Sequence, residues 1–254
     1  MQVVDFPAED IQERDVGLIS EAPSGMAVEA PSGMAVGGPD AAAKPDFAAA
    51  LFGHLFPAPF MIFAWPDAAE LNEELRPRIL QASQSPGLEK SNAGGWHSET
   101  GQLEFCGDAG RRLVRHMFEM ADEATRRTVA EIPSRPNMSR WTFRWRLHAW
   151  ANVNGRGDFN RLHTHAGSTW SGVYYVDTGA PADAAEGTPL HFFDPCQGRA
   201  NTFLQPVVPA RYSIRPEPGM MVLFPSYVPH MVFPHQGERQ RISIAFNLRK
   251  EPFP

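Results

Sequence analysis

His163-Thr-His165 places two imidazoles two residues apart. On an extended strand such residues point to the same face, with Cα atoms roughly 7 Å apart. That spacing lets two histidines share one divalent transition metal. An isolated pair of this kind also occurs in cores and on surfaces, so the downstream sequence matters. His230 ends the run Pro218-Gly-Met-Met-Val-Leu-Phe-Pro-Ser-Tyr-Val-Pro-His230. There a Pro-Gly turn starts an apolar strand, and a Pro-rich loop then presents one histidine as a third ligand for a facial metal site. The next run, Arg241-Ile-Ser-Ile-Ala-Phe-Asn-Leu248, alternates polar or small residues with large apolar ones. Arg241, Ser243, Ala245 and Asn247 therefore share one face. One reading is a strand whose polar side meets water. The other is a pocket floor, in which the Arg241 guanidinium takes a carboxylate as a two-pronged partner and Ser243 adds a hydroxyl donor.

Such groups need rigid elements to position them. Pro59 to Trp65 predicts a strand. Pro66-Asp67 opens a stretch with Leu71, Leu75, Ile79 and Leu80 at helical spacing. Residues 107 to 131 form a second helical pattern, with Leu113, Met117, Met120 and Ala121 on one face. Between them lies the loop Ser91-Asn-Ala-Gly-Gly-Trp-His-Ser98. Past Pro136 the helical periods stop and short β-rich runs take over. Trp141 to Val153, Thr169 to Asp177, Pro189 to Phe193, Ala210 to Ile214, Met220 to Phe224 and Arg241 to Leu248 are the expected strands. Helices followed by many short strands predict an α+β chain whose strands form a sandwich or barrel.

Composition fits one enzyme-sized globular domain: 254 residues, 43% hydrophobic and 20% charged. A net charge of −6 provides no basic surface for a phosphate backbone, so nucleic acid is not an implied partner. Cys106 and Cys196 lack C-x-x-C spacing and are too few for a disulfide framework, which points to a reduced, cytoplasmic setting. No apolar run is long enough for a membrane helix. Residues 1 to about 45 are rich in Ala, Gly, Pro and acids without periodicity and read as a disordered tail ahead of a domain spanning 46–254, its β-core at about 137–250. Within the tail the octapeptide Glu21 to Val28 recurs as Glu29 to Val36. A slipped duplication in an unconstrained linker accounts for it; a docking or substrate-like peptide is the sharper reading.

From Leu51 to Leu248 the chain resembles the 2-oxoglutarate/Fe(II) oxygenase superfamily, and more closely an uncharacterised bacterial and phage family within it. The resemblance rests on Leu55-Phe-Pro57, the Asn92-Ala-Gly-Gly-Trp-His-Ser98 loop, Phe159-Asn-Arg-Leu-His-Thr-His165 and Ser171-Gly-Val-Tyr-Tyr-Val176. Phe193-Asp-Pro195, Phe224-Pro-Ser226 and Arg241-Ile-Ser-Ile-Ala-Phe-Asn247 complete the series, all in order. It implies a double-stranded β-helix of jelly-roll or cupin-like shape with supporting N-terminal helices. It also implies Fe(II) at His163, His165 and His230, and 2-oxoglutarate and O2 as cosubstrates. The expected activity is hydroxylation of an unactivated C–H bond in an amino acid, peptide or small metabolite, with release of succinate and CO2. Arg241 and Ser243 stand where the superfamily holds the distal carboxylate of 2-oxoglutarate, and Asn152 and Tyr175 are further candidate contacts.

One departure stands out. Most members carry His-x-Asp or His-x-Glu, whereas this chain has a histidine at the third place, leaving a ferrous site one charge unit more positive. Either His165 is the third ligand, or it points away and water or Asp158 takes its place. Trp96 and His97 could close over the mouth or simply anchor packing. His54, His116, His148, His191 and His235 read as structural. The rival to the oxygenase is a cupin using the barrel without 2-oxoglutarate, as a three-histidine dioxygenase, isomerase or binding module. It would need a glutamate where Thr169 or Trp170 stands and a histidine at Val222. A third reading, a non-catalytic protein-binding scaffold, gives no physical reason for the chelating set and Arg241 to persist together. Oligomeric state leaves no mark in the sequence.

Overall fold

The apolar run after Pro59 forms an edge strand, Met61–Ala64 (β1). Asp67 precedes the helix Ala68–Ala82 (α1), whose Leu71, Leu75 and Ile79 are buried, as their spacing requires. The computed structural model describes residues 58–130, 143–179, 188–195 and 211–251. The predicted tail with its octapeptide repeat, Leu55-Phe-Pro57, His54, Cys196 and the start of two expected strands lie outside them.

The segment expected as a loop around residues 91 to 98 instead contains two short strands, Asn92–Ala93 (β2) and Trp96–His97 (β3). They are separated by Gly94 and Gly95 in the left-handed region, at φ 70° and 65°. A helix, Gly107–Ala130 (α2), buries Leu113, Met117, Met120 and Ala121 as its period predicts. The strands that follow are Trp145–Asn154 (β4), Phe159–His163 (β5), Trp170–Asp177 (β6), Leu190–Phe193 (β7), Arg211–Ile214 (β8), Met220–Pro225 (β9), His230–Val232 (β10) and Arg241–Lys250 (β11). Two of them, β5 and β10, escape the sequence pattern. Both are short, and Phe159-Asn-Arg-Leu-His163 is half-buried at every position, with no alternation to read.

The strands make two sheets whose pairings are all antiparallel among the described residues. One has the order β1-β9-β6-β11-β4-β3 and the other β2-β5-β10-β7-β8. With the two helices this is the α+β double-stranded β-helix. In the six-stranded sheet, side-chain alternation divides two environments. Ile242, Ile244, Phe246 and Leu248 of β11 join Ala149, Ala151 and Val153 of β4 in the core that also receives α1 and α2. Arg241, Ser243 and Ala245, with Trp150 and Asn152, turn the other way and line a cavity. Burial of each large apolar side chain contributes about 1.5–3 kcal/mol, so the helical layer holds this sheet firmly.

Gly172 on β6 marks where the packing is tightest. A Cβ there would lie 2.3 Å from Cζ of Phe246 and 2.8 Å from the Val222 carbonyl oxygen. Gly172→Ala is expected to destabilise the protein by about 1–3 kcal/mol through overpacking. A lowered urea midpoint with an unchanged slope is the corresponding signal.

Candidate metal centre

β5 and β10 are hydrogen-bonded neighbours whose register sets His163 directly opposite His230. Their ring centroids are 4.4 Å apart. β5 ends at His163, so His165 does not continue the strand as its i+2 spacing suggested. It sits just past the end, where its backbone N–H donates to the Ser226 carbonyl (2.9 Å). The Ser226 hydroxyl in turn donates to the Ser168 carbonyl and ties down the same loop. Even so, the His165 ring turns inward, 4.7 Å from His163 and 5.1 Å from His230. One ring nitrogen from each histidine falls within 4.8 Å of the others, and this is the metal-competent cluster among the described residues.

Two of the rings are fixed for ligation. His163 Nδ1–H donates to the Arg161 carbonyl (2.6 Å) and His230 Nδ1–H to the Val228 carbonyl (2.9 Å). Each bond sets the tautomer and leaves the Nε2 lone pair for a metal. Burial keeps all three imidazoles neutral. It holds the pKa of His230 well below the ordinary value, lowers that of His163, and brings His165 down to about 3, helped by the nearby His163. A neutral, converging nitrogen set suits a first-row divalent ion such as ferrous iron. Phe224 and Phe192 form the apolar wall around His230, at ring distances of 4.7 and 6.2 Å.

Asp158 does not compete with His165. Its Oδ2 accepts the Gly155 N–H (2.8 Å), and its carboxylate lies against the Gly94-Gly95 turn. The positions at which a cupin pattern would need a glutamate and a histidine carry no metal-ligating side chain. Trp170 packs in the core with its indole N–H on Thr125 Oγ1 (2.9 Å), and Val222 is buried.

On the opposing sheet, β11 brings Arg241 and Ser243 to the same cavity, and pairing across Ser243 puts Asn152 on one side and Tyr175 on the other. Arg241 is 2% exposed, and its Nη1 donates to Ser243 Oγ (3.2 Å). Its Nε, the Tyr175 hydroxyl and Asn152 Oδ1 are buried without a hydrogen-bond partner among the described residues. Burial pushes the Tyr175 phenol up to about 12, against the pull of the Arg241 charge, so it remains a neutral donor. Among the described residues no carboxylate lines the cavity. A buried guanidinium with an unsatisfied Nε–H beside an unpaired phenol hydroxyl, in a pocket with no carboxylate among the described lining residues, calls for an anionic ligand.

Trp96 and His97 form no lid. Trp96 donates its indole N–H to the Ser85 carbonyl (3.0 Å), while His97 is buried behind the site. The sequence reading missed Trp150, whose signal was its place two residues before Asn152 on the same face of β4. His116, stacked on Trp65 and hydrogen-bonded to Asp67, and His235, between Thr188 and the Arg239 carbonyl, are structural as expected. His148 is exposed.

His191 lies outside the site, buried beside Ser213 Oγ (2.7 Å). Its pKa falls to about 4 through burial and then the Arg211 charge. The folded state thus keeps it neutral where the unfolded chain takes up a proton, so stability falls as pH drops from about 6.5 toward 4. His191→Gln is expected to remove roughly 1–3 kcal/mol of that decline. Urea midpoints compared at pH 7 and pH 4.5 measure the difference.

Residues 148–247 match the family model described as "Putative 2OG-Fe(II) oxygenase". Among curated proteins none matches the chain in sequence. Among solved structures, a Pseudomonas putida prolyl-4-hydroxylase is similar at TM-score 0.52 and 18% identity, over 76% of this chain and 92% of that one. The epimerase SnoN from nogalamycin biosynthesis is similar at TM-score 0.51 and 12% identity, over 75% and 76%. These likenesses show a shared fold. The family match spans the three histidines, Asn152, Tyr175, Arg241 and Ser243, and over that stretch the chain is a 2-oxoglutarate- and Fe(II)-dependent oxygenase.

Proposed function

We propose that His163, His165 and His230 hold the iron through their free ring nitrogens, and that Arg241 and Ser243 receive the distal carboxylate of 2-oxoglutarate. The observation that carries this reading is a cavity with no carboxylate among its described lining residues, a buried guanidinium on one side and three neutral imidazoles on the other. Ferrous iron and Arg241 together bring three positive charges, which the two negative charges of the cosubstrate largely offset. When bound, iron and 2-oxoglutarate supply the O2-dependent oxidation, yielding succinate and CO2.

The remaining work falls to the chain. The Arg241 guanidinium clamps the carboxylate in two places and fixes its direction. The Ser243 hydroxyl, now accepting from Arg241, turns its own O–H toward the same oxygen. Tyr175, protonated, donates from one side, and Asn152 offers its amide N–H from the other. Phe224, Val173 and Leu190 keep the wall dry, which strengthens each polar contact. The substrate on this reading is an amino acid, peptide or small metabolite that is hydroxylated at a C–H bond. Cys106, a free buried thiol, supports a reduced, cytoplasmic setting, and no helix among the described residues is long and apolar enough to cross a membrane.

Anaerobic addition of Fe(II) and then 2-oxoglutarate to the purified protein tests the assignment. A visible metal-to-ligand charge-transfer band is expected, fading in Arg241→Ala and in His165→Ala. Bound iron with no band on adding 2-oxoglutarate would overturn the assignment.

A further inference from the structure

His165 differs from the other two histidines in one respect. Among the described residues no hydrogen bond holds its ring, so nothing polar selects its tautomer or stops the ring from turning about χ2. Its surroundings are aromatic instead. The Trp150 indole meets the His165 ring edge-on, with centroids 5.7 Å apart and planes at 61°. Behind Trp150, the His97 ring stacks nearly parallel at 5.5 Å and 11°. His97 is itself pinned, since its Nδ1–H donates to the Ser98 carbonyl (2.6 Å) and only 3% of its surface is exposed. Three rings therefore run in series from an immobile histidine on β3, through a tryptophan on β4, to the candidate ligand beyond β5. Across the ladder from Trp150 stands Ala245, whose small side chain leaves room for the indole.

We propose that Trp150, backed by His97, is a positioning residue that aims the His165 imidazole at the metal, in place of the backbone hydrogen bond that His163 and His230 enjoy. Edge-to-face contact restrains a ring by shape and quadrupole rather than by a proton, so it works for a neutral imidazole in either tautomer. This inference rests on the three-histidine assignment above. It goes further by naming what holds the third ligand.

The test is a double-mutant cycle read by Co(II) binding to the metal-free protein, without turnover. Trp150→Ala is expected to weaken Co(II) binding roughly tenfold to a hundredfold, as loss of an outer-shell partner does, and to change the shape of the visible Co(II) bands. In a His165→Ala background the same change should alter affinity by about twofold or less, because the ligand it aims is gone. Trp150→Phe, which keeps an aromatic wall, should restore the wild-type spectrum. Should Trp150→Ala fail to fold, Trp150→Leu takes its place, keeping apolar bulk without a flat ring. No loss in the His165 protein, or an equal loss in both backgrounds, would overturn the positioning role. A distinct outcome, Co(II) affinity unmoved by His165→Ala alone, would instead remove the three-histidine assignment beneath it.

Discussion

Arg241→Met is expected to move stability and binding in opposite directions. The guanidinium is fully buried, its Nε lacks a partner among the described residues, and its Nη1 donates to the Ser243 hydroxyl. The Tyr175 ring 5.3 Å away gives some cation–π relief, yet burial still pulls the arginine pKa down. A charge held this way in the ligand-free protein costs several kcal/mol, and an apolar chain of similar length should raise ligand-free stability by about 1–4 kcal/mol. Affinity for 2-oxoglutarate should meanwhile fall roughly 10²- to 10³-fold, the expected loss when one side of a buried charge pair is removed. Urea unfolding without ligands and calorimetric titration with 2-oxoglutarate measure the two halves. A destabilised Arg241→Met protein that still binds the cosubstrate would mean that the arginine is a structural tie.

His230→Ala should have the other large effect. Each ligand of a first-row metal site contributes on the order of 3 kcal/mol, so its loss should weaken metal binding about a hundredfold. His163→Ala should behave alike, since the two rings face each other across one ladder with matching Nδ1 bonds. His165→Asp should differ from both. It places a carboxylate where this superfamily most often has one, so metal binding and the charge-transfer band with 2-oxoglutarate should survive. If His165→Asp lost the metal as fully as His230→Ala, the loop after β5 would be built for imidazole alone.

The sequence carried the helical layer well because Leu71, Leu75 and Ile79, and Leu113, Met117 and Met120, recur at a period that only a half-buried helix explains. β11 was equally legible, since its two faces meet different environments. β5 and β10 were not, for two physical reasons: β5 is half-buried at every position, which erases alternation, and β10 is only three residues long, too short for a period to show. The three histidines, Arg241 and Ser243 were singled out by type and spacing, and the structure brings them to one cavity. What aims them was hidden, because the Arg161 and Val228 carbonyls belong to the backbone, and the Trp150–His97 stack joins residues far apart in sequence. The identity of Asp158 as a turn residue likewise depended on where the Gly94-Gly95 turn would lie.

The two halves of the site stand on different sheets, with His163 and His230 on the five-stranded one and Arg241, Ser243, Asn152 and Tyr175 on the six-stranded one. On the proposed assignment, one small dianion touches both through the metal at one end and Arg241 at the other, and so acts as a cross-link between layers. Among the described residues the helices brace the six-stranded sheet and not the other, leaving the latter with more local opening to lose. Amide hydrogen exchange should accordingly slow most in β7 and β8 when metal and 2-oxoglutarate are both present, although neither strand supplies a ligand.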